Sequence, residues 1–107
     1  MKGVPFRGIV REMADRVRGY VYFIRGGDGT YKIGHTNNMR RRVAQLRSKY
    51  PHKSMEPALV IRAADRYKTE TQLHRRFSPK RVEDEWFALD ESDVDAIRSR
   101  FQGYIEE

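Results

Sequence analysis

The chain has 107 residues and a mass of 12.7 kDa, the size of one domain, which excludes two independent cores and leaves room for one hydrophobic core and one shallow site. Its 22 Lys and Arg against 15 Asp and Glu give a formal net charge of +7, and the imbalance is concentrated: residues 1–82 carry 20 basic and 6 acidic side chains, residues 83–107 carry 2 and 9. A basic body with an acidic tail points to a polyanionic partner, nucleic acid first; the absence of cysteine excludes disulfides and thiolate metal sites. No apolar run is long enough for a membrane span and no signal-peptide pattern opens the chain, so no membrane partner is expected and the expected setting is cytoplasmic.

Residues 5–18 place Phe6, Ile9, Met13 and Val17 at helical spacing, which predicts an amphipathic helix laid against the domain. From Gly19 the run GYVYFIR carries β-branched and aromatic residues on both faces and reads as a buried central strand. Gly26-Gly27-Asp28-Gly29 is a turn signal, after which Thr30-Tyr31-Lys32-Ile33 resumes strand character up to Gly34, so residues 20–34 read as a β-hairpin. Thr36, Asn37 and Asn38 offer N-caps for a helix MRRRVAQLRSK, on which Met39, Val43 and Leu46 share a face. Residues 57–63 form a third strand, Asp65–Phe77 a helix ended by Ser78-Pro79, Glu85–Leu89 a short aromatic segment, and a last helix begins near Asp90 or Ser92. The expected fold is α/β (α+β): one domain over 1–107 with an N-terminal helix to residue 18, a core over 19–90, an acidic C-terminal helix over 91–107, and a small, mostly antiparallel three-stranded sheet flanked by helices.

Three polar residues fall where apolar ones are expected. With Met39 at zero and about 100° per residue, Val43 lies near about +40° and Leu46 near about −20°, whereas Arg40 and Arg41 look outward and Arg42, near about −60°, borders the core. Arg42 is either an arginine whose stem covers the core edge while its head reaches water, or one held for a functional contact. On the helix from Asp65, Tyr67, Glu70, Leu73, His74 and Phe77 share one broad sector with Glu70 near its middle. A carboxylate there is costly unless its desolvation is offset by a buried arginine such as Arg42, by local capping, or by a divalent cation with oxygen ligands. Lys32 sits in a strand that otherwise asks to be buried; a desolvated lysine loses basicity and polarises its neighbours. The ordinary alternative for Lys32 is an exposed edge position, and whether it shares a face with Tyr22 depends on the loop register.

Taken in order, Val21-Tyr22-Phe23-Ile24, Lys32-Ile33-Gly34-His35-Thr36, Arg42, Glu70 with Leu73, His74 and Phe77, and Glu85-Trp86-Phe87 resemble the GIY-YIG nuclease superfamily, and in particular its branch described as a phage-type DNA-binding domain. The resemblance spans about residues 19–90. It implies a GIY-YIG-like fold in which Tyr22 matches the tyrosine of the first motif, Arg42 the helix arginine, and Glu70 the metal-binding glutamate. The second motif departs from the usual pattern, with Lys32 two residues before Gly34 and Tyr31 one earlier; some restriction-endonuclease members are similar in placing a lysine there and a histidine three residues later, as His35 stands here.

Phosphodiester hydrolysis needs an in-line water, a base, charge neutralisation on the phosphoryl oxygens and help for the leaving oxygen. The resemblance implies Tyr22 as a phenolate base, Lys32 and His35 lowering its pKa, Arg42 clamping a non-bridging oxygen, and Glu70 holding one Mg²⁺ or Mn²⁺ as the single carboxylate in place. Tyr31 reads as a core or groove residue and His74 as support for Glu70 or a hydrogen-bonded core histidine, while Trp86 and Phe87 close the core. Arg40, Arg41, Arg47, Lys49, Lys53, Arg75, Arg76, Lys80 and Arg81 read as phosphate contacts or solvated surface. The leading expectation is a metal-dependent endonuclease acting on double-stranded DNA. Its rivals are a non-catalytic DNA-binding module on the same fold and a structural RNA-binding protein; the sequence leaves the oligomeric state open.

Overall fold

The structure, a computed structural model, describes residues 6–107, with side chains from Arg11 onward. Its centre is the hairpin of β1 (Gly19–Gly26) and β2 (Tyr31–Thr36), in which Tyr22 faces Gly34 and Ile24 faces Lys32. The turn is built by Asp28, whose carboxylate accepts from the Thr30 N–H at 3.0 Å and from its hydroxyl at 2.6 Å. Gly29 takes φ 85, a left-handed conformation that a residue without Cβ adopts at no steric cost. β3 (Met55–Ala63) pairs antiparallel with the other side of β1. Pro57 lies opposite Ile24, at a register shift on this outer strand, where a missing N–H breaks no ladder.

Two further strands, β4 (Arg81–Glu83) and β5 (Trp86–Phe87), complete a five-stranded antiparallel sheet of order β3-β1-β2-β5-β4. The α+β class is as expected, but the three-stranded sheet is corrected to five. Strands of two and three residues carry no periodicity of their own; β5 exists because Trp86 and Phe87 pair with Lys32 and Tyr31.

The pleat divides the residues between two cores. Val21, Phe23, Tyr31 and Ile33 point to one face, covered by Leu73 and Phe77 and by Val94 and Ile97, which belong to helices α3 (Arg66–Arg76) and α4 (Glu91–Arg100). Tyr22 and Ile24 point to the other, packed with Met55 and Trp86 under Leu46 of α2 (Met39–Lys49). Consecutive Trp86 and Phe87 thus close opposite cores, and each large apolar side chain so buried contributes about 1.5–3 kcal/mol. Asn38, Asp65 and Asp90 cap α2, α3 and α4 through their side chains, Asp90 in a reciprocal capping box with Asp93.

The first helix, α1, runs over Phe6–Val17. Met13 is exposed and Val17 only half-buried, so these two do not form the apolar stripe expected against the domain; the expectation for Phe6 and Ile9 concerns side chains outside the described residues. The end of α1 is instead held by Arg66, whose buried guanidinium donates to the carbonyls of Arg16 (2.6 Å) and Arg18 (3.0 Å), a cation at a helix C-terminus. The acidic tail is corrected likewise: after α4, Ile105 bridges to Ile61, Arg62 donates its backbone N–H to Tyr104, and Glu106 donates its own to Val60, so the chain end lines the outer edge of β3. Among the described residues no helix is long and apolar enough to cross a membrane.

Candidate active site

β5 covers β2 only along Tyr31 and Lys32, so from Gly34 onward the side of β2 away from β1 has no strand beside it, and side chains from both faces of the sheet meet around that open edge. Tyr22 reaches it because its cross-strand partner is glycine. A Cβ on Gly34 would stand 2.3 Å from the Tyr22 hydroxyl and 2.5 Å from its ring carbon, so the phenol lies across β2 in the space a side chain would fill. The hairpin register also puts Lys32 on the Tyr22 face, since Lys32 is opposite Ile24.

Arg42, half-buried on the inner flank of α2 as its angle predicts, faces the phenol, and its charge is the strongest influence favouring the phenolate. Burial wins nonetheless: the Tyr22 pKa is pushed up to about 12, with the carboxylates of Glu85 and Glu70 adding to the rise. The lowering expected from Lys32 and His35 is therefore corrected. His35 lies opposite Val21 and so points to the other face of the sheet, and the charge of Lys32 acts on Glu70 and is bound by Glu85.

Glu70 enters from α3 on the far face. Its side chain is 15% exposed; His35 Nε2 stands 3.9 Å from one carboxylate oxygen and His74 Nε2 4.0 Å from the other. Burial, with the charge of Glu85 second, raises its pKa from 4.5 to about 7 against the pull of Lys32 and Arg42. No Lys or Arg lies within salt-bridge distance of Glu70 among the described residues. His74 holds the edge itself, its Nε2 lying 2.8 Å from the Ile33 carbonyl of β2. His35 packs against Tyr67 with ring centroids 4.5 Å apart and the planes tilted by 56°, and burial together with the charge of Arg66 pushes its pKa down, favouring the neutral ring. Tyr67, expected in the apolar sector, is 50% exposed; its hydroxyl accepts from Arg66 at 2.8 Å.

Lys32 is buried, not an exposed edge residue. Its ammonium meets Glu85 Oε2 at 2.6 Å, the lysine side chain 10% and the glutamate 40% exposed. Glu85 thereby corrects the expectation of a single carboxylate at the site. In the sequence it stands only as part of an aromatic motif; what brings it here is the hydrogen bond from the Ile33 N–H to its carbonyl (3.0 Å), which depends on β5 pairing with β2. Lys32, Glu70, His74 and Glu85 line a cleft of about 520 Å³ together with Lys49, Arg81, Tyr50 and Trp86.

Tyr31 is a core residue. The basic residues expected to meet phosphates divide. Arg40, Arg41, Arg47 and Lys49 lie exposed along α2, and Arg75 and Arg76 on the last turn of α3. Lys80 is bound to Asp93 at 2.6 Å, and Arg81 donates to the Asp84 carbonyl at 2.7 Å.

Of the four buried side-chain polar atoms without a hydrogen-bond partner among the described residues, three belong to this edge: His35 Nδ1, Arg42 Nε and Glu70 Oε2. Buried polar atoms are normally paired, and three that the fold leaves without a protein partner are gathered here. Among the described residues no three His, Asp or Glu side chains converge as a protein-only metal cluster. The residue of this set that could hold a hard divalent cation is Glu70, whose buried Oε2 has no hydrogen-bond partner.

A hairpin tyrosine lying across a glycine, a helix arginine facing it and a glutamate arriving from the next helix, on a small antiparallel sheet, define a GIY-YIG-like domain. A family model, the T5orf172 domain, matches residues 19–102, and the chain belongs to that family, whose fold is GIY-YIG-like and of the phage-type DNA-binding kind. It is thus a nuclease-like or DNA-binding module. No curated protein and no solved structure matches the chain.

Proposed function

We propose that the protein is a metal-dependent endonuclease that hydrolyses phosphodiester bonds of double-stranded DNA at the open edge of β2. The observation that carries this reading is the gathering of partnerless buried polar atoms, Arg42 Nε and Glu70 Oε2 among them, around the Tyr22 phenol. In the proposed reaction Tyr22, having first lost its phenolic proton to solvent, accepts as phenolate the proton of the attacking water as the new P–O bond forms, and the bond to the departing 3′ oxygen breaks, that oxygen taking its proton from solvent. Arg42 contacts a non-bridging phosphoryl oxygen, and Lys32 adds positive charge beside it. Glu70 would hold one Mg²⁺ or Mn²⁺, which when bound supplies charge neutralisation at the scissile phosphate. The exposed arginines and lysines of α2 and the end of α3 attract the flanking backbone without reading sequence.

A second reading, a DNA-binding module without catalysis, is favoured by the Tyr22 pKa of about 12, which leaves only about one phenolate in 10⁵ at neutral pH. Incubating supercoiled plasmid with Mg²⁺ or Mn²⁺ separates the two. The endonuclease reading expects nicking by the wild type that is lost in Tyr22→Phe and Glu70→Ala and in EDTA. Equal nicking by all three proteins, or none by any, overturns it.

A further inference from the structure

We propose that Glu85 is an internal stand-in for substrate phosphate, a carboxylate that occupies the Lys32 ammonium in the free protein and must swing aside when a DNA phosphate takes its place. The inference rests on DNA being the partner, and it adds a specificity residue to that site. Its basis is the asymmetry of one ion pair. Lys32 is fixed, its side chain 10% exposed and its stem in the sheet, with the Trp86 ring 5.9 Å from its nitrogen. Glu85 is not fixed in the same way, because its side chain is 40% exposed and Lys32 is its one side-chain contact among the described hydrogen bonds and ion pairs. If either partner leaves, it is the glutamate.

The backbone lets the side chain move alone. The Glu85 carbonyl is anchored by the Ile33 N–H at 3.0 Å, and Asp84 before it holds a left-handed turn with φ 48. Rotation about the Glu85 side chain therefore frees Lys32 without disturbing β5. With Glu85 turned outward, the ammonium opens into a cleft that also holds the cations Lys49 and Arg81, with Glu70 and Asp84 as its remaining carboxylates. A tetrahedral phosphate offers the oxygen that the carboxylate now supplies. The exchange would make weak or misplaced anions poor competitors, since each must displace a contact that is already made.

The test measures equilibrium binding of fluorescent duplex DNA in EDTA, where no cleavage intervenes, for wild type, Glu85→Gln and Glu85→Ala across a salt series. Neutralising Glu85 is expected to tighten binding at least about threefold, because no carboxylate has to be displaced, while the slope of log K against log salt stays nearly that of the wild type, the same phosphate being neutralised in both complexes. In a Lys32→Met background the gain is expected to vanish. Glu85→Asp keeps the charge but draws the carboxylate back, and serves if the other variants do not fold; it too is expected to bind more tightly than wild type. Binding by wild type with no gain in any folded Glu85 variant, or a gain that persists unchanged without Lys32, overturns the exchange alone. No binding by any protein at low salt overturns it together with the DNA reading.

Discussion

Glu70→Gln turns the central carboxylate into a stability measurement. Glu70 binds its proton more tightly in the folded protein, with a pKa raised from 4.5 to about 7 mainly by burial and next by Glu85. Folded chains therefore hold more protons than unfolded ones between those values, and stability must fall as pH rises through that window and stay low above it. At 1.36 kcal/mol per pH unit, the loss reaches at most about 3 kcal/mol. Glutamine keeps the shape and never ionises. Urea denaturation without divalent cation should give similar stabilities for the two proteins at about pH 4, and a Glu70→Gln variant more stable by up to about 3 kcal/mol at about pH 8. A variant that is less stable at the higher pH would mean that Glu70 is a satisfied partner of a buried cation such as Arg42, and the reasoning that makes Glu70 Oε2 a metal ligand would fail with it.

Gly34→Ala should drive a methyl into the phenol that lies 2.3 Å from that position; cleavage is expected to fall as far as in Tyr22→Phe, with a stability loss of about 1–3 kcal/mol in denaturant, and full activity would remove the packing argument. Because burial pushes Tyr22 up to about 12, single-turnover cleavage should rise about tenfold per pH unit above neutrality with no plateau until well into the alkaline range, and a plateau near neutral pH would show another base. Arg47→Ala should flatten the salt dependence of DNA binding by about one charge, whereas Lys80→Ala, whose ammonium is already bound to Asp93, should leave the slope nearly unchanged; equal effects would contradict the division of the basic surface.

Local rules made much of this molecule legible in its sequence. The α2 bounds, Asn38 as one of three candidate caps and the inward flank occupied by Arg42 follow from helical periodicity and capping chemistry, which act within a few residues. Glu70 stands out because a carboxylate on an apolar sector needs a reason. Long-range pairing was not legible. Whether Lys32 shares a face with Tyr22 depends on the Tyr22↔Gly34 register, and its partner Glu85 lies 53 residues away. β4 and β5 are too short to announce themselves, and without β5 neither Glu85 nor the open stretch of β2 can be placed. Tyr67 shows the limit of periodicity: its sector is apolar, yet it sits outside, spread over His35 and Arg66.

Catalysis at this edge turns on whether β2 accepts a divalent cation at Glu70 beside the Tyr22 phenol. Anomalous difference maps from crystals grown with Mn²⁺ test this most directly. A peak at Glu70 Oε2, on the side where Tyr22 crosses Gly34 and Arg42 faces the phenol, is the predicted result. A crystal in which Mn²⁺ avoids Glu70, with that carboxylate paired to Arg42 instead, would contradict the account.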